Sequence, residues 1–237
     1  MNTRTCILAL LLLSAHYGRG QFYYFRHFQV ENGLSNNAVI CSLQDKKGFL
    51  WFGTKDGLDR FDGYSFKVFR SDPDDSGSIG SNFIHSLYED PQGVLWVGTE
   101  KGLYRHNATT ESFSLLRATG GWEIRDIQMD SSGRLWFVSG FTLFRYNPAA
   151  QQLVRYDKTR YFEASSVCRS SDGALWISTT SGLLEKYNPA GDAFTATDLF
   201  AHSPKNSSTW IEKIYATSNG LILAGTAIHG AKLFDTR

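Results

Sequence analysis

A seven-residue stretch, Gly48-Phe49-Leu50-Trp51-Phe52-Gly53-Thr54, keeps returning along the chain. It recurs as Gly93 to Thr99, Gly133 to Ser139 and Gly173 to Thr179, each with a Trp at the fourth place: Trp96, Trp136 and Trp176. A fifth copy, Gly220 to Thr226, carries Leu223 where the Trp would be. The anchor positions 51, 96, 136, 176 and 223 lie 45, 40, 40 and 47 residues apart. A period of about 40–50 residues belongs to propeller blades or to helical arrays, and the content of each repeat decides between them.

Each repeat reads as four short strands. In the first, Val39 to Gln44 is apolar and β-leaning, Asp45-Lys46-Lys47-Gly48 is a turn, and Phe49 to Thr54 is a second strand. Lys55-Asp56-Gly57 turns again, Leu58 to Phe61 alternates, Asp62-Gly63 turns, and Phe66 to Phe69 completes the set. Short strands parted by Gly, Asp and Asn are the hairpin signal. No helical period is sustained, so helical arrays drop out. The expected fold is an all-β propeller of about five four-stranded blades, part of a seven-bladed ring or a five-bladed ring closed on itself. Blades are expected over 29–70, 78–116, 118–156, 160–196 and 205–237.

The recurring motif has a structural explanation. A Trp buried between blades acts as a wedge, and Gly53, Gly98 and Gly225, two residues after the anchor, let backbones approach. The Asp of the Asp-x-x-Gly turn bonds local amides while its Gly takes a positive φ.

The two ends are read together. Phe25-Arg26-His27-Phe28 matches the outer-strand pattern of Phe66 to Phe69, and the last repeat stops one strand short at Asp235. The segment 22–28 is therefore expected as an outer strand that closes the ring and removes an exposed edge.

Composition adds limits. With 42% hydrophobic residues, 20% charged and a formal charge of +1, the chain of 237 residues gives no reason to expect a nucleic-acid partner. Met1 to Arg4 is a basic start, and Cys6 to Ala15 is an apolar run too short to span a bilayer comfortably. Small residues Gly18 and Gly20 precede Gln21, so 1–20 is read as a signal peptide and the mature chain as exported. Cys41 and Cys168 fall in strands of different repeats and are expected as buried free thiols.

No catalytic constellation stands out. The histidines lack metal-ligand spacing, and neither a nucleophile elbow nor a phosphate loop occurs. Asp72 to Gly77 resembles half an EF-hand loop but would place Phe83 where a Glu is required. No catalytic residue, metal or cofactor is assigned. Ligand binding is expected in the loops leading from an outer strand to the next inner strand. Trp122 and Trp210 sit there, near Arg125 and Lys213, and aromatic faces flanked by charged groups suit the C–H faces and hydroxyls of sugars.

Two stretches resemble a known family. Tyr24 to Asn37 (YFRHFQVENGLSNN) and Leu43 to Tyr64 (LQDKKGFLWFGTKDGLDRFDGY) are similar to the two-component regulator propeller repeats of hybrid two-component sensors. These are the sensors by which polysaccharide-degrading gut bacteria detect glycan fragments. The resemblance implies a periplasmic sensor region with two seven-bladed propellers and a further β domain. A membrane helix, histidine kinase, receiver and DNA-binding domain follow in the family. With about five repeats and no kinase, this chain is expected to be an N-terminal fragment without enzyme activity. The resemblance implies an oligosaccharide ligand, the remaining blades and kinase domains as partners, and dimerisation and inner-membrane anchoring only in the full-length protein. The rivals are a free-standing five-bladed carbohydrate- or protein-binding module and a periplasmic propeller lyase or hydrolase.

Overall fold

The computed structural model describes residues 24–157, 163–202 and 208–236. The signal peptide expected over 1–20 lies outside them. Blade 1 is a meander of β1 (Val39–Gln44), β2 (Leu50–Thr54), β3 (Leu58–Phe61) and β4 (Phe66–Phe69). Blade 2 repeats it with β5 (Ile84–Glu89), β6 (Leu95–Thr99), β7 (Gly102–Asn107) and β8 (Ser112–Leu115). Blade 3 has β9 (Ile124–Met129), β10 (Leu135–Ser139), β11 (Thr142–Asn147) and β12 (Gln152–Tyr156). Blade 4 has β13 (Ala164–Arg169), β14 (Leu175–Thr179), β15 (Leu183–Asn188) and β16 (Ala193–Asp198). Blade 5 has three strands, β17 (Ile211–Ala216), β18 (Leu221–Thr226) and β19 (Ala231–Asp235). Every strand pair is antiparallel, and the inner strands β1, β5, β9, β13 and β17 stand side by side in chain order. This is a β-propeller.

The seams between blades are built from the recurring motif. Trp51 and Leu58 of blade 1 pack with Ile84, Leu95 and Val97 of blade 2, and Trp136 of blade 3 packs with Ala164, Leu175 and Ile177 of blade 4. The Trp is more than an apolar wedge. Its indole N–H donates to the Asp of the preceding turn: Trp51 Nε1 to Asp45 Oδ2 at 2.8 Å, Trp96 to Asp90 at 3.0 Å and Trp136 to Asp130 at 2.8 Å. The other carboxylate oxygen of each Asp accepts two backbone amides of the turn, as Asp90 Oδ1 does from Gln92 N and Val94 N. One carboxylate thus ties the turn to the seam. In blade 4 Ser170 takes the place of the Asp, accepting from Trp176 Nε1 at 3.2 Å and donating to Asp172. Thr217 stands there in blade 5, where the Trp has become Leu223.

A second lock crosses two of the seams. A cation on the third strand lies over the Trp of its own blade, Arg60 at 5.7 Å from the Trp51 ring and Arg145 at 5.4 Å from the Trp136 ring. The same cations pair with an acid in the next blade, Arg60 with Glu111 at 3.0 Å and Arg145 with Asp192 at 2.7 Å. Glu111 and Asp192 occupy the left-handed turn position between their blade's third and fourth strands, at φ 55 and 47. In blade 5 the cross-strand partner of Leu223 is Leu233, so both the Trp and its cation are replaced by apolar residues. Tyr215, Leu223 and Leu233 form an exposed row on that blade.

The strand exchange expected over 22–28 does not form within the described residues. Residues 24–29 carry no strand, and β17, β18 and β19 stand as a three-stranded sheet. The reason lies in blade 1. Phe28 meets Phe61 and Phe66 edge-on at 4.9 and 5.5 Å, and Ser35 is held by both oxygens of buried Asp59. These contacts fix the leading segment to the first blade. Both described cysteines are free thiols, as expected, Cys168 buried and Cys41 partly so, with burial pushing each up to about 12.

Two tests follow from these seams. A Cβ on Gly98 would fall 2.6 Å from the Ile124 carbonyl oxygen and 2.1 Å from Ser86 Oγ. Gly98→Ala should cost about 1–3 kcal/mol, and Asp90→Ala about 2 kcal/mol, in urea unfolding. His106 packs against Trp51, Phe69 and Phe113, and burial, aided by the Arg60 charge, holds its pKa down to about 4. A depressed histidine pKa means the unfolded chain binds the extra proton first, so stability falls as pH drops from about 6.5 to about 4. His106→Phe should flatten that part of a melting-temperature profile.

Candidate functional site

Every inner strand begins with the same irregularity. Val39, Ile84, Ile124, Ala164 and Ile211 face Thr54, Thr99, Ser139, Thr179 and Thr226 on their second strands. The next residue in each inner strand is then skipped by the pairing: Ile40, His85, Arg125, Ser165 and Glu212. A β-bulge re-aims one side chain while leaving the ladder intact on either side. Here five bulges at one level of the ladder release five different side chains from strand pairing. In four blades the residue before the inner strand is also fixed: Lys55 N donates to the Ala38 carbonyl, Glu100 N to Phe83, Thr180 N to Glu163 and Ala227 N to Trp210, at 3.0–3.3 Å.

The bulges of blades 3, 4 and 5 line a cleft of about 240 Å³ formed by Arg125, Phe141, Ser165, Trp210, Glu212 and Lys213. The Phe141 and Trp210 rings meet edge to face at 5.8 Å and are 38% and 37% exposed, so both offer surface to a ligand. The Arg125 guanidinium lies 5.1 Å over Phe141 and its Nε is 3.1 Å from Glu123 Oε1. That oxygen is also 3.6 Å from His85 Nε2. Burial, reinforced by the Arg125 charge and opposed by Glu123, lowers the His85 pKa, so the imidazole is neutral at neutral pH.

Lys213 joins the cleft to the inner strands behind it. Its Nζ donates to Asp126 Oδ1 at 2.6 Å; the Lys213 side chain is 60% exposed and that of Asp126 only 7%. Asp126 Oδ2 accepts from Ser166 Oγ at 2.5 Å and from Val167 N at 2.9 Å, and Ser166 Oγ accepts from Ile214 N at 3.2 Å. One carboxylate in blade 3 therefore holds blades 4 and 5.

Of the four residues expected at a binding site, Arg125, Trp210 and Lys213 come together here. Trp122 lies elsewhere, partly buried against Phe144 at 4.8 Å in the core shared by blades 2 and 3. Phe141, Ser165 and Glu212 were not expected. Phe141 had a signal, as an aromatic in the turn where other blades carry Lys55-Asp56 or Glu100-Lys101. A second cavity, of about 500 Å³, lies at the turns of blades 3 and 4 between Asp130, Arg134, Asp172 and Lys186. Its carboxylates are already engaged, Asp130 by Trp136 and Arg134 and Asp172 by Ser170 and Ala174. The smaller cleft therefore carries the stronger case. Among the described residues, no group of three metal-ligating side chains comes together.

A direct test separates the two partners of the staple. Asp126→Ala leaves Lys213, Ser166 and the Val167 amide without their shared acceptor and should cost about 3 kcal/mol. Lys213→Ala, whose loss is eased by water, should cost less than about 1 kcal/mol in the same denaturation experiment.

Comparison with known proteins agrees with this architecture. The family model described as "Two component regulator propeller" matches residues 33–56 and 78–101, the inner half of blades 1 and 2. A histidine kinase of Formosa agariphila is 51% identical over 57 residues, which is 24% of this chain and 4% of the kinase. The extracellular domain of a hybrid two component system from B. thetaiotaomicron superposes with a TM-score of 0.70 at 22% identity, covering 86% of this chain and 28% of its own. Virginiamycin B lyase from Staphylococcus aureus superposes at 0.58 and 15% identity, covering 83% of this chain and 69% of its own. The chain thus spans less than a third of the kinase and of the hybrid-system domain. The last two likenesses are likenesses of fold. What the chain shows of its family is in its first two blades: it carries two component regulator propeller repeats.

Proposed function

We propose that this chain is the ligand-sensing propeller segment of a hybrid two-component sensor, exported by its leader and facing the periplasm. On this reading it detects glycan fragments and passes the signal to a histidine kinase outside the chain. The observation that carries the ligand class is the axial cleft, where two exposed aromatic rings meet edge to face among Arg125, Glu212, Lys213 and a serine hydroxyl. Aromatic rings stack on the C–H faces of sugars, and the charged groups bond ring hydroxyls. The repeat match and the kinase relative support the sensor role.

A sensor of this kind needs no catalytic group. A ligand that binds one arrangement of the blades better than another shifts their population, and an attached dimeric kinase reads the shift. The Asp126 staple suits that role, since one end of it, Lys213, lines the cleft while the other end holds three inner strands. A lyase is the second reading, favoured by the fold likeness to virginiamycin B lyase. It requires a proton-abstracting group at the cleft. The neutral imidazole beside it, His85, turns its Nε2 toward Glu123, and that atom is shielded from solvent.

The deciding measurement is calorimetric titration of the chain with oligosaccharides from partial hydrolysis of plant and algal polysaccharides. Trp210→Ala should weaken binding at least tenfold, about 1.4 kcal/mol, without lowering the melting temperature. Unchanged affinity in that variant, or turnover of the bound sugar, would sink the sensor reading.

A further inference from the structure

Trp210 has a structural counterpart three blades away. The residue before the inner strand is Ala38, Phe83, Glu123, Glu163 and Trp210 in blades 1 to 5. Two of these are aromatic, in blades 2 and 5, and the two blades between them carry carboxylates. Phe83 is not alone at its end. Its ring lies parallel to the imidazole of His85, the bulged residue of the same blade, at 4.3 Å and 18°. Because burial keeps that imidazole neutral, the pair is an uncharged stack in which His85 backs one face of the Phe83 ring.

The pair connects to the cleft through an unbroken series of contacts. His85 Nε2 lies 3.6 Å from Glu123, Glu123 pairs with Arg125 at 3.1 Å, Arg125 covers Phe141, and Phe141 meets Trp210. His85 Nε2 has no hydrogen-bond partner, although it is buried. The cleft at the blade 5 end, at about 240 Å³, is smaller than the roughly 300–1,000 Å³ of ordinary small-ligand pockets. Taken alone it holds little more than one sugar ring.

We propose that Phe83 and His85 form a second sugar-ring platform, so that the ligand is a linear oligosaccharide crossing the propeller mouth from Trp210 to Phe83, with Glu123 accepting ring hydroxyls between them. This rests on the reading of the cleft as a glycan site. It makes that site a groove spanning four blades, and ring number, rather than one terminal sugar, becomes what the site measures. Glu123 is held by Arg125 at 3.1 Å and so keeps its orientation as the chain of rings passes over it.

The experiment uses the full chain and the same hydrolysates separated into fractions of one to six rings, titrated against wild type, Phe83→Ala, Phe83→Leu and Trp210→Ala. Wild-type affinity should rise with ring number and level off once both platforms are filled. Phe83→Ala should lose at least fivefold on fractions of three or more rings and less than twofold on single rings. Phe83→Leu, which keeps the apolar bulk under the loop, guards against a folding defect and should show the same length-dependent loss. Trp210→Ala should lose affinity for every fraction. Phe83 variants that match wild type on all fractions, or wild-type affinity independent of ring number, would overturn the second platform while leaving the cleft intact. Absence of binding by any fraction would overturn the glycan reading itself, and this inference with it.

Discussion

The bond between an indole N–H and a turn carboxylate is the interaction on which the remaining architecture depends. A Trp wedged between two blades buries a polar N–H, and a buried donor without a partner costs about 1–3 kcal/mol. Asp45, Asp90 and Asp130 remove that cost with one oxygen and fold the hairpin turn with the other. Seam packing and turn geometry are therefore specified by the same side chain, six residues before the Trp. Blade 4 shows the arrangement weakened, with Ser170 in the role. In blade 5 it is gone, with Thr217 and Leu223 at the two positions. Thr217 keeps only the turn half of the arrangement, its hydroxyl accepting from Leu221 N at 3.1 Å.

Much of this was legible in the sequence because the blade is a local object. Four strands and three turns lie within about forty residues, so period, alternation and Gly-marked turns locate nearly every strand. The wedge role of the Trp could be read from its recurrence. Its hydrogen bond leaves a trace too, in the constant six-residue interval from Asp to Trp, which turn chemistry alone does not require. The fate of the leading segment was not local. Phe25 to Phe28 has the pattern of an outer strand, yet Phe28 meets Phe61 and Phe66 in space, thirty-odd residues away in the chain. Pattern reports what a segment is able to form, and which surface captures it depends on packing.

The candidate site divides along the same line. Arg125, Trp210 and Lys213 could be nominated because loop position and residue type were both visible. Trp122 satisfied the same criteria, but its ring turns inward against Phe144, a choice set by side-chain rotamer and not by sequence position. Glu212 and Ser165 were missed because a bulge leaves no mark in composition. The residue it turns outward reads as one more member of an alternating strand. The Asp126 staple was invisible for a different reason. It joins residues 126, 166 and 213, one from each of three repeats, and no single repeat contains the pattern.

The recurrence of the bulge has a consequence for how such a protein can change. Ile40, His85, Arg125, Ser165 and Glu212 are each left out of the backbone ladder, so none of them is chosen by strand pairing. Nor does any of them supply the wedge or the turn. Each blade therefore carries one position whose chemistry is nearly uncoupled from folding, and those of blades 3, 4 and 5 line the same cleft. Exchange at any one of them alters what the mouth recognises by a single increment, and the others stay as they were. A scaffold of this kind can explore ligands one blade at a time, holding its stability constant while its specificity drifts.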